Sequence, residues 1–333
     1  MVSAPNRSEQ HSHAGLEVEL KFELTQHDVR TLCGSAAFKA MQCEPLRRKT
    51  MRATYFDTPK LDLFARGISL RVRKEGRRFV QCVKAAADTE DGGGFARREW
   101  EWPVTPTLVA GSGFDAALLR GDAELKPLFK GVAAKKLQAI FTTEISRQTR
   151  VLVTPGGARI TCDIDQGRVL SGEREAPIYE LELELASGSV AELLELARLV
   201  TQTVPARLST RTKAHRGMTL FANQGHTWVR GEPLALPKAA TAEDVLHTSM
   251  LESLKHLLRN EDCVLTRCHN EGVHQMRVAM RRMRSLLTTY KGLLLEGSYE
   301  ALAEQLQQAA GELGPARDWD VFVDELLNPV EAV

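Results

Sequence analysis

The chain has 333 residues, 43% of them hydrophobic and 26% charged, with a formal net charge of +1, the profile of a folded globular protein long enough for two domains. No window reaches the ~18 apolar residues of a membrane helix, and Met1 to Ala14 is too polar for a signal peptide, so a cytoplasmic protein with a short disordered leader over 1–14 is expected. Cys33, Cys43, Cys82, Cys162, Cys263 and Cys268 form no CxxC pair or zinc-like spacing and are too sparse for a disulfide scaffold, while charge divides as 35 Lys+Arg against 28 Asp+Glu in residues 1–240 and 9 against 15 in 241–333, which predicts two units with different partners.

Leu16–Leu24 alternates strictly and predicts a strand; Thr25 with Asp28 three residues later predicts the helix start that follows. Further strands are expected at about Thr50–Phe56, Ile68–Lys74, Arg78–Ala85, Ala96–Val104, Arg147–Val153, Ala158–Asp163, Val169–Leu170 and Ile178–Ala186. Turn signals at Glu75-Gly76, Asp91 to Gly94 and Pro155 to Gly157 separate several of them. Val190–Thr203 has the spacing of an amphipathic helix. Many strands with few helices predict an α+β unit built on a large antiparallel sheet or barrel. Residues 223–240, with Pro233 and Pro237, read as a linker. Beyond it Ala242–Arg259, Gly272–Leu295 and Tyr299–Leu313 carry helical spacing and no strand pattern, which predicts an α-helical bundle segment.

The charges in the first unit follow the strand period. Glu17, Glu19, Lys21 and Glu23 share one face of the first strand, and Glu180, Glu182 and Glu184 share one face of a later one. Three like charges on one short strand repel, and glutamate is a poor strand former; carboxylates so stacked suit a hard divalent cation, Mg²⁺ or Mn²⁺. Arg71 and Arg73 also alternate, and Lys84, Arg98, Arg147, Lys213 and Arg216 lie at or near the ends of further segments. Guanidinium forks grip phosphate oxygens, so a closed sheet with these groups inside would suit phosphoryl transfer. The alternation places Arg52 on neither face.

Glu17-Val18-Glu19-Leu20-Lys21 resembles the ExExK signature of the CYTH superfamily, the triphosphate tunnel metalloenzymes. The likeness continues through Tyr55 to Pro59, Leu70 to Arg73, Val83-Lys84, Arg98 to Trp100, Phe141 to Arg147, Asp165 to Gly167, Glu180 to Glu184 and Lys213 to Gly217, and spans about residues 15–222. The resemblance implies an eight-stranded antiparallel β-barrel, a tunnel with its charged side chains inside. It implies Glu17, Glu19, Glu182 and Glu184 as metal ligands, with Asp165 and Glu180 as partners close to the metal. Lys21, Arg71, Arg73, Lys84, Arg98, Arg147, Lys213 and Arg216 would bind the phosphate chain, and Lys21, Arg71, Arg73 and Glu180 would take part in catalysis. His215 is assigned no catalytic role.

In the acidic second unit, helical spacing aligns His274, Arg277, Arg281 and Arg284 on one face, which reads as an anion site or a solvated basic face. With Leu313 to Val321, this stretch resembles the CHAD domain, which implies polyphosphate binding; residues 241–333 correspond to the first of its two helical halves. The expected function is divalent-metal-dependent hydrolysis of the terminal phosphate of inorganic triphosphate. Alternatives are adenylate cyclase, nucleoside or thiamine triphosphatase activity in the same tunnel, or non-catalytic polyphosphate binding. Long-chain polyphosphate is the expected partner of the C-terminal segment; no nucleic-acid partner is expected.

Overall fold

A computed structural model describes residues 18–86, 97–223, 225, 227–234, 236, 239–266, 269–294 and 297–323. It divides into two units, Met1–Asn223 and Gln224–Val333. Among the described residues no helix is long and apolar enough to cross a membrane.

The first unit is built on nine antiparallel strands: β1 (Glu19–Glu23), β2 (Arg47–Asp57), β3 (Ser69–Glu75), β4 (Arg78–Ala86), β5 (Arg97–Val104), β6 (Gln138–Val153), β7 (Arg159–Ser171), β8 (Arg174–Ser187) and the two-residue β9 (Arg207–Leu208). Their order is β5-β4-β3-β2-β6-β7-β8-β1-β9. The expected eight-stranded closed barrel is therefore corrected to an open nine-stranded sheet, because β5 and β9 do not pair among the described residues. The sheet is nonetheless strongly curled. Lys84 on β4 acts electrostatically on Glu19 on β1, although six strand spacings of ~4.8 Å, roughly 29 Å, would separate them in a flat sheet.

The curl gives the sheet an outer face packed by helices and an inner face that is mostly charged. On one part of the outer face Phe22, Leu152, Ile160, Ile164, Leu181 and Leu183 pack against α1 (Gln26–Gly34), α2 (Ala36–Met41) and α6 (Val190–Thr203). The Thr25/Asp28 and Ser189/Glu192 capping boxes start α1 and α6, each such cap contributing ~1 kcal/mol. Elsewhere on that face Leu70, Val72, Val83 and Ala85 pack under α3 (Pro106–Gly111), α4 (Ala116–Gly121) and α5 (Leu125–Leu128). Asp57, wholly buried, accepts hydrogen bonds from the backbone of Thr58, Leu63 and Phe64 and shapes the turn after β2.

A third cluster lies at one end of the inner face. There α7 (Lys213–Ala222) seats Ala214 and Met218 on Met51, Ala53, Tyr55, Phe141, Ile145, Val169 and Ile178. This explains why the strands predicted at Arg147–Val153, Ala158–Asp163 and Val169–Leu170 are only parts of β6 and β7. The phase of the pattern changes along β6: Phe141, Thr143 and Ile145 are buried on the inner face under α7, whereas farther along Leu152 is buried on the outer face. Gly167 lies in mid-strand, where a Cβ would fall 1.9 Å from the Glu144 carbonyl oxygen.

The second unit contains α8 (Ala242–Leu265), α9 (Glu271–Thr289), α10 (Ser298–Glu312) and α11 (Gly314–Val321). Met276, Ala279, Met280, Met283 and Leu287 form the buried side of α9, and Gly272 lets it approach Cys263 of α8. Cys263 is disulfide-bonded, while Cys33, Cys43, Cys82 and Cys162 are free. Part of the expected linker is bound to α8. The Asn260 amide brackets Val229, accepting from its N–H and donating to its carbonyl at 2.9 Å each, and Arg259 pairs with Glu232 at 2.8 Å.

Candidate active site on the inner face of the sheet

Strand register assembles the site. Glu19, Lys21 and Glu23 of β1 stand directly opposite Glu184, Glu182 and Glu180 of β8. Glu180, Glu182 and Glu184 in turn face Asp165, Asp163 and Thr161 of β7, and Asp165 faces Arg147 of β6. Direct cross-strand partners project to the same side, so all these groups share the inner face.

Their centre is Lys213, delivered by the first turn of α7. Its ammonium lies 2.8 Å from Asp165, 2.6 Å from Glu180 and 2.9 Å from Glu182. Arg147 forks onto both Asp165 oxygens at 2.6 Å, reaches Glu182 at 2.7 Å and also pairs with Asp163. Lys21 lies 2.9 Å from Glu182 and 3.6 Å from Glu19. Arg216 joins Glu23 at 2.6 Å to Glu180 at 3.1 Å, and Arg207 also holds Glu23 at 2.6 Å.

A second group lies on β3, β4 and β5. Lys84 and Arg71 pair with Glu99 at 2.5 and 3.5 Å, and the Cys82 thiol donates to the same carboxylate at 3.0 Å. Arg73 pairs with Glu75 at 2.5 Å and Glu101 at 3.2 Å. The buried Arg71 Nε has no hydrogen-bond partner.

Burial and charge oppose each other here, and the balance differs by residue. Burial pushes the Glu182 carboxyl up, but Lys213, Lys21 and Arg147 hold it well below the usual range. Asp165 is likewise lowered against burial, by Lys213 and Arg147. Burial wins at Glu19, whose carboxyl is raised despite Lys21, and at Asp163 despite Arg147. Lys213 is held well above its ordinary value because Glu182, Glu180 and Asp165 outweigh its desolvation. Burial pushes the Cys82 thiol to about 12, so it is no nucleophile at neutral pH.

Among the residues expected at the site, Glu19, Lys21, Arg71, Arg73, Lys84, Arg147, Asp165, Glu180, Glu182, Glu184, Lys213 and Arg216 come together on or over this face. Arg98 does not: it stands opposite Ala85 on the outer side of β5 and is exposed. Arg52 is also outside, 3.8 Å from Glu144. Glu17 lies outside the described residues. Asp163, Glu99 and Glu101 join the site without having been singled out in the sequence. Each stands two residues from another inward group, so the same period of two could have found them.

A model of the CYTH domain matches residues 15–218, more than half of the chain. The chain belongs to the CYTH family. A CHAD domain model matches residues 248–333. An inorganic triphosphatase of Haemophilus influenzae is 33% identical over 175 residues, 51% of this chain and 46% of that protein. An uncharacterized protein of Mycobacterium tuberculosis is 28% identical over 334 residues, 96% of this chain and 60% of its own length. The chain thus spans between 46% and 60% of these relatives' lengths. A Hippeastrum structure with a dominant triphosphatase activity covers 61% of this chain and 96% of its own, at 18% identity and TM-score 0.46. That of the inorganic triphosphatase NE1496 covers 62% and 97%, at 16% and 0.27.

In the CHAD segment the aligned arginines of α9 part company. Arg277 donates to the Ala310 carbonyl at 2.7 Å, tying α9 to α10. Arg281 and Arg284 are exposed and line an open recess of about 520 Å³ with Ser285, Thr288 and Thr289. His274, half-buried, is not among the residues lining it.

Proposed function

We propose that the CYTH domain hydrolyses the terminal phosphate of a small triphosphate, inorganic triphosphate first among them, with Mg²⁺ or Mn²⁺ bound. The observation that carries this reading is the three-carboxylate cage around Lys213, continuous with Lys21, Arg147 and Arg216. A plain structural sheet gains little from so many buried charges. A phosphate chain needs cations to hold it and carboxylates to hold its metal.

Hard carboxylate oxygens of the kind such an ion takes are gathered here. Asp165, Glu180 and Glu182 offer carboxylate oxygens within 4.8 Å of one another. Both buried Glu180 oxygens lack a partner of hydrogen-bond geometry, although Lys213 and Arg216 are ion-paired to them. Asp165 and Glu180 are fully buried against Lys213, so the less buried Glu182, with Glu19, Glu184 and Glu17, would hold the metal; Glu19 and Glu184 are directly opposed like charges. When bound, the ion supplies charge neutralisation on the phosphates and lowers the pKa of a nucleophilic water.

The chain's own groups do the rest. Arg71, with its buried unpartnered Nε, Arg73 and Lys84 would exchange carboxylate partners for phosphate oxygens. Lys21 would stabilise charge on the leaving diphosphate as the terminal P–O bond breaks and water's oxygen bonds to phosphorus. Glu180 is fully buried, so it would orient Lys213 and Arg216 rather than meet water. The exposed recess beside Arg281 and Arg284 would bind long-chain polyphosphate.

The test is a phosphate-release assay with tripolyphosphate, ATP and thiamine triphosphate, with Mg²⁺, Mn²⁺ or chelator, and a parallel assay of cyclic nucleotide formation. Metal-dependent release favouring tripolyphosphate is expected. Cyclic nucleotide as the main product, or no turnover with any substrate, would overturn the reading.

A further inference from the structure

The side of α7 that carries Lys213 into the carboxylates is also the side that rests on Phe141. Lys213 and Gly217 are four residues apart, one above the other on the helix. Gly217 is buried, and a Cβ there would lie 2.1–2.3 Å from three Phe141 ring atoms. The helix backbone is therefore seated directly on the ring. Phe141 stacks in turn on Tyr55, its direct cross-strand partner, with centroids 4.3 Å apart and planes at 16°. The Tyr55 hydroxyl accepts a hydrogen bond from Arg71 at 3.3 Å. One run of contacts thus passes from the α7 backbone through two buried rings to a guanidinium on β3.

We infer that Phe141 is a positioning residue for phosphate binding: its ring sets the depth of α7, and so where the Lys213 ammonium stands among Asp165, Glu180 and Glu182 and relative to Arg71. This rests on the proposed function above. Ion contacts of 2.6–2.9 Å change steeply with small displacements in a water-poor site. A close-packed contact relaxes only in part when a methyl is added. A side chain at 217 must move either the helix or the ring, and either movement shifts one end of this run.

The experiment uses the whole chain and measures tripolyphosphate binding by calorimetry in chelator, with KM in the phosphate-release assay beside it. Gly217→Ala is expected to raise both Kd and KM at least about tenfold, the scale of a misplacement near 1 Å or below. Gly217→Ala with Phe141→Leu should return to within about threefold, because leucine leaves room for the methyl. In a Lys213→Ala background, Gly217→Ala should change Kd less than about twofold, since the group it displaces is gone. An unchanged Kd in Gly217→Ala overturns the inference. So does an equal loss with and without Lys213, which would mark general destabilisation. Should Gly217→Ala not fold, Phe141→Leu alone decides in the same cycle, and its effect must likewise vanish without Lys213. A wild type that neither binds nor hydrolyses tripolyphosphate overturns the proposed function itself. That outcome differs from a wild type that binds and a Gly217→Ala that binds equally well.

Discussion

The chain presents two collections of cations that look alike in sequence and differ in kind in the structure. On the inner face of the CYTH sheet, Lys21, Arg147, Lys213 and Arg216 are each held by at least one nearby carboxylate, and the Lys213 side chain is only 12% exposed. On α9, Arg281 and Arg284 stand in solvent beside hydroxyl groups, and Arg277 is committed to a backbone carbonyl. The first arrangement fixes geometry before any ligand arrives, which favours one short ligand with its metal. The second fixes little, and suits a repetitive anion held by exchangeable, salt-screened contacts.

The largest effect should come from breaking the buried arrangement at its most connected carboxylate. Glu182→Gln keeps the shape but removes one charge from Lys21, Arg147 and Lys213; kcat for tripolyphosphate should fall by about 10²–10³, measured at saturating metal. Near-normal kcat would remove Glu182 from the site. Arg71→Ala comes next: KM should rise by roughly tenfold or more, since a charge-assisted phosphate contact out of bulk water is worth more than a surface pair.

In the exposed collection, Arg281→Gln with Arg284→Gln should weaken polyphosphate binding by the whole chain about tenfold, with a shallower salt dependence and unchanged triphosphate hydrolysis. Arg277→Gln should instead cost about 1 kcal/mol of stability, that of a lost hydrogen bond, read as a lower Tm, and leave binding in place. Equal binding losses from both changes would merge the two roles.

The pH dependence of stability sharpens the contrast. Glu182 titrates lower in the folded state, so its stabilisation is complete above its ordinary value and is lost as pH falls through the depressed one. Glu19, raised by burial, acts with the opposite sign. Melting of the wild type should therefore drop more steeply below about pH 4.5 than that of Glu182→Gln; parallel curves would show that Lys213, Lys21 and Arg147 do not hold this carboxylate. The smallest effect belongs to Arg98→Ala, on the outer face: KM and kcat should stay within about twofold, and stability within ~0.5 kcal/mol.

By itself the sequence determined which residues share a face wherever one side of a strand is charged and the other apolar. Glu19 and Lys21, Glu180 to Glu184, and Arg71 with Arg73 were legible for that reason: the strand period of two is a local property of the backbone. It also determined the capped start of α1, written in the three-residue spacing of Thr25 and Asp28. Tertiary structure alone decided the rest. Arg98 went to the outer face because register with β4 places it opposite Ala85, one residue out of phase with Glu99. The first half of β6 was hidden because α7 makes its inner face the apolar one, Phe141 and Ile145 included, so the pattern runs in the opposite phase to the charged inner face beyond Arg147. Among the described residues the sheet is open, its edge strands β5 and β9 unpaired with each other, a long-range matter that no local pattern encodes. That Lys213 enters the carboxylate cage depends on a helix from the end of the domain resting on a ring in β6. This contact joins residues 141 and 217, and only folding brings them together.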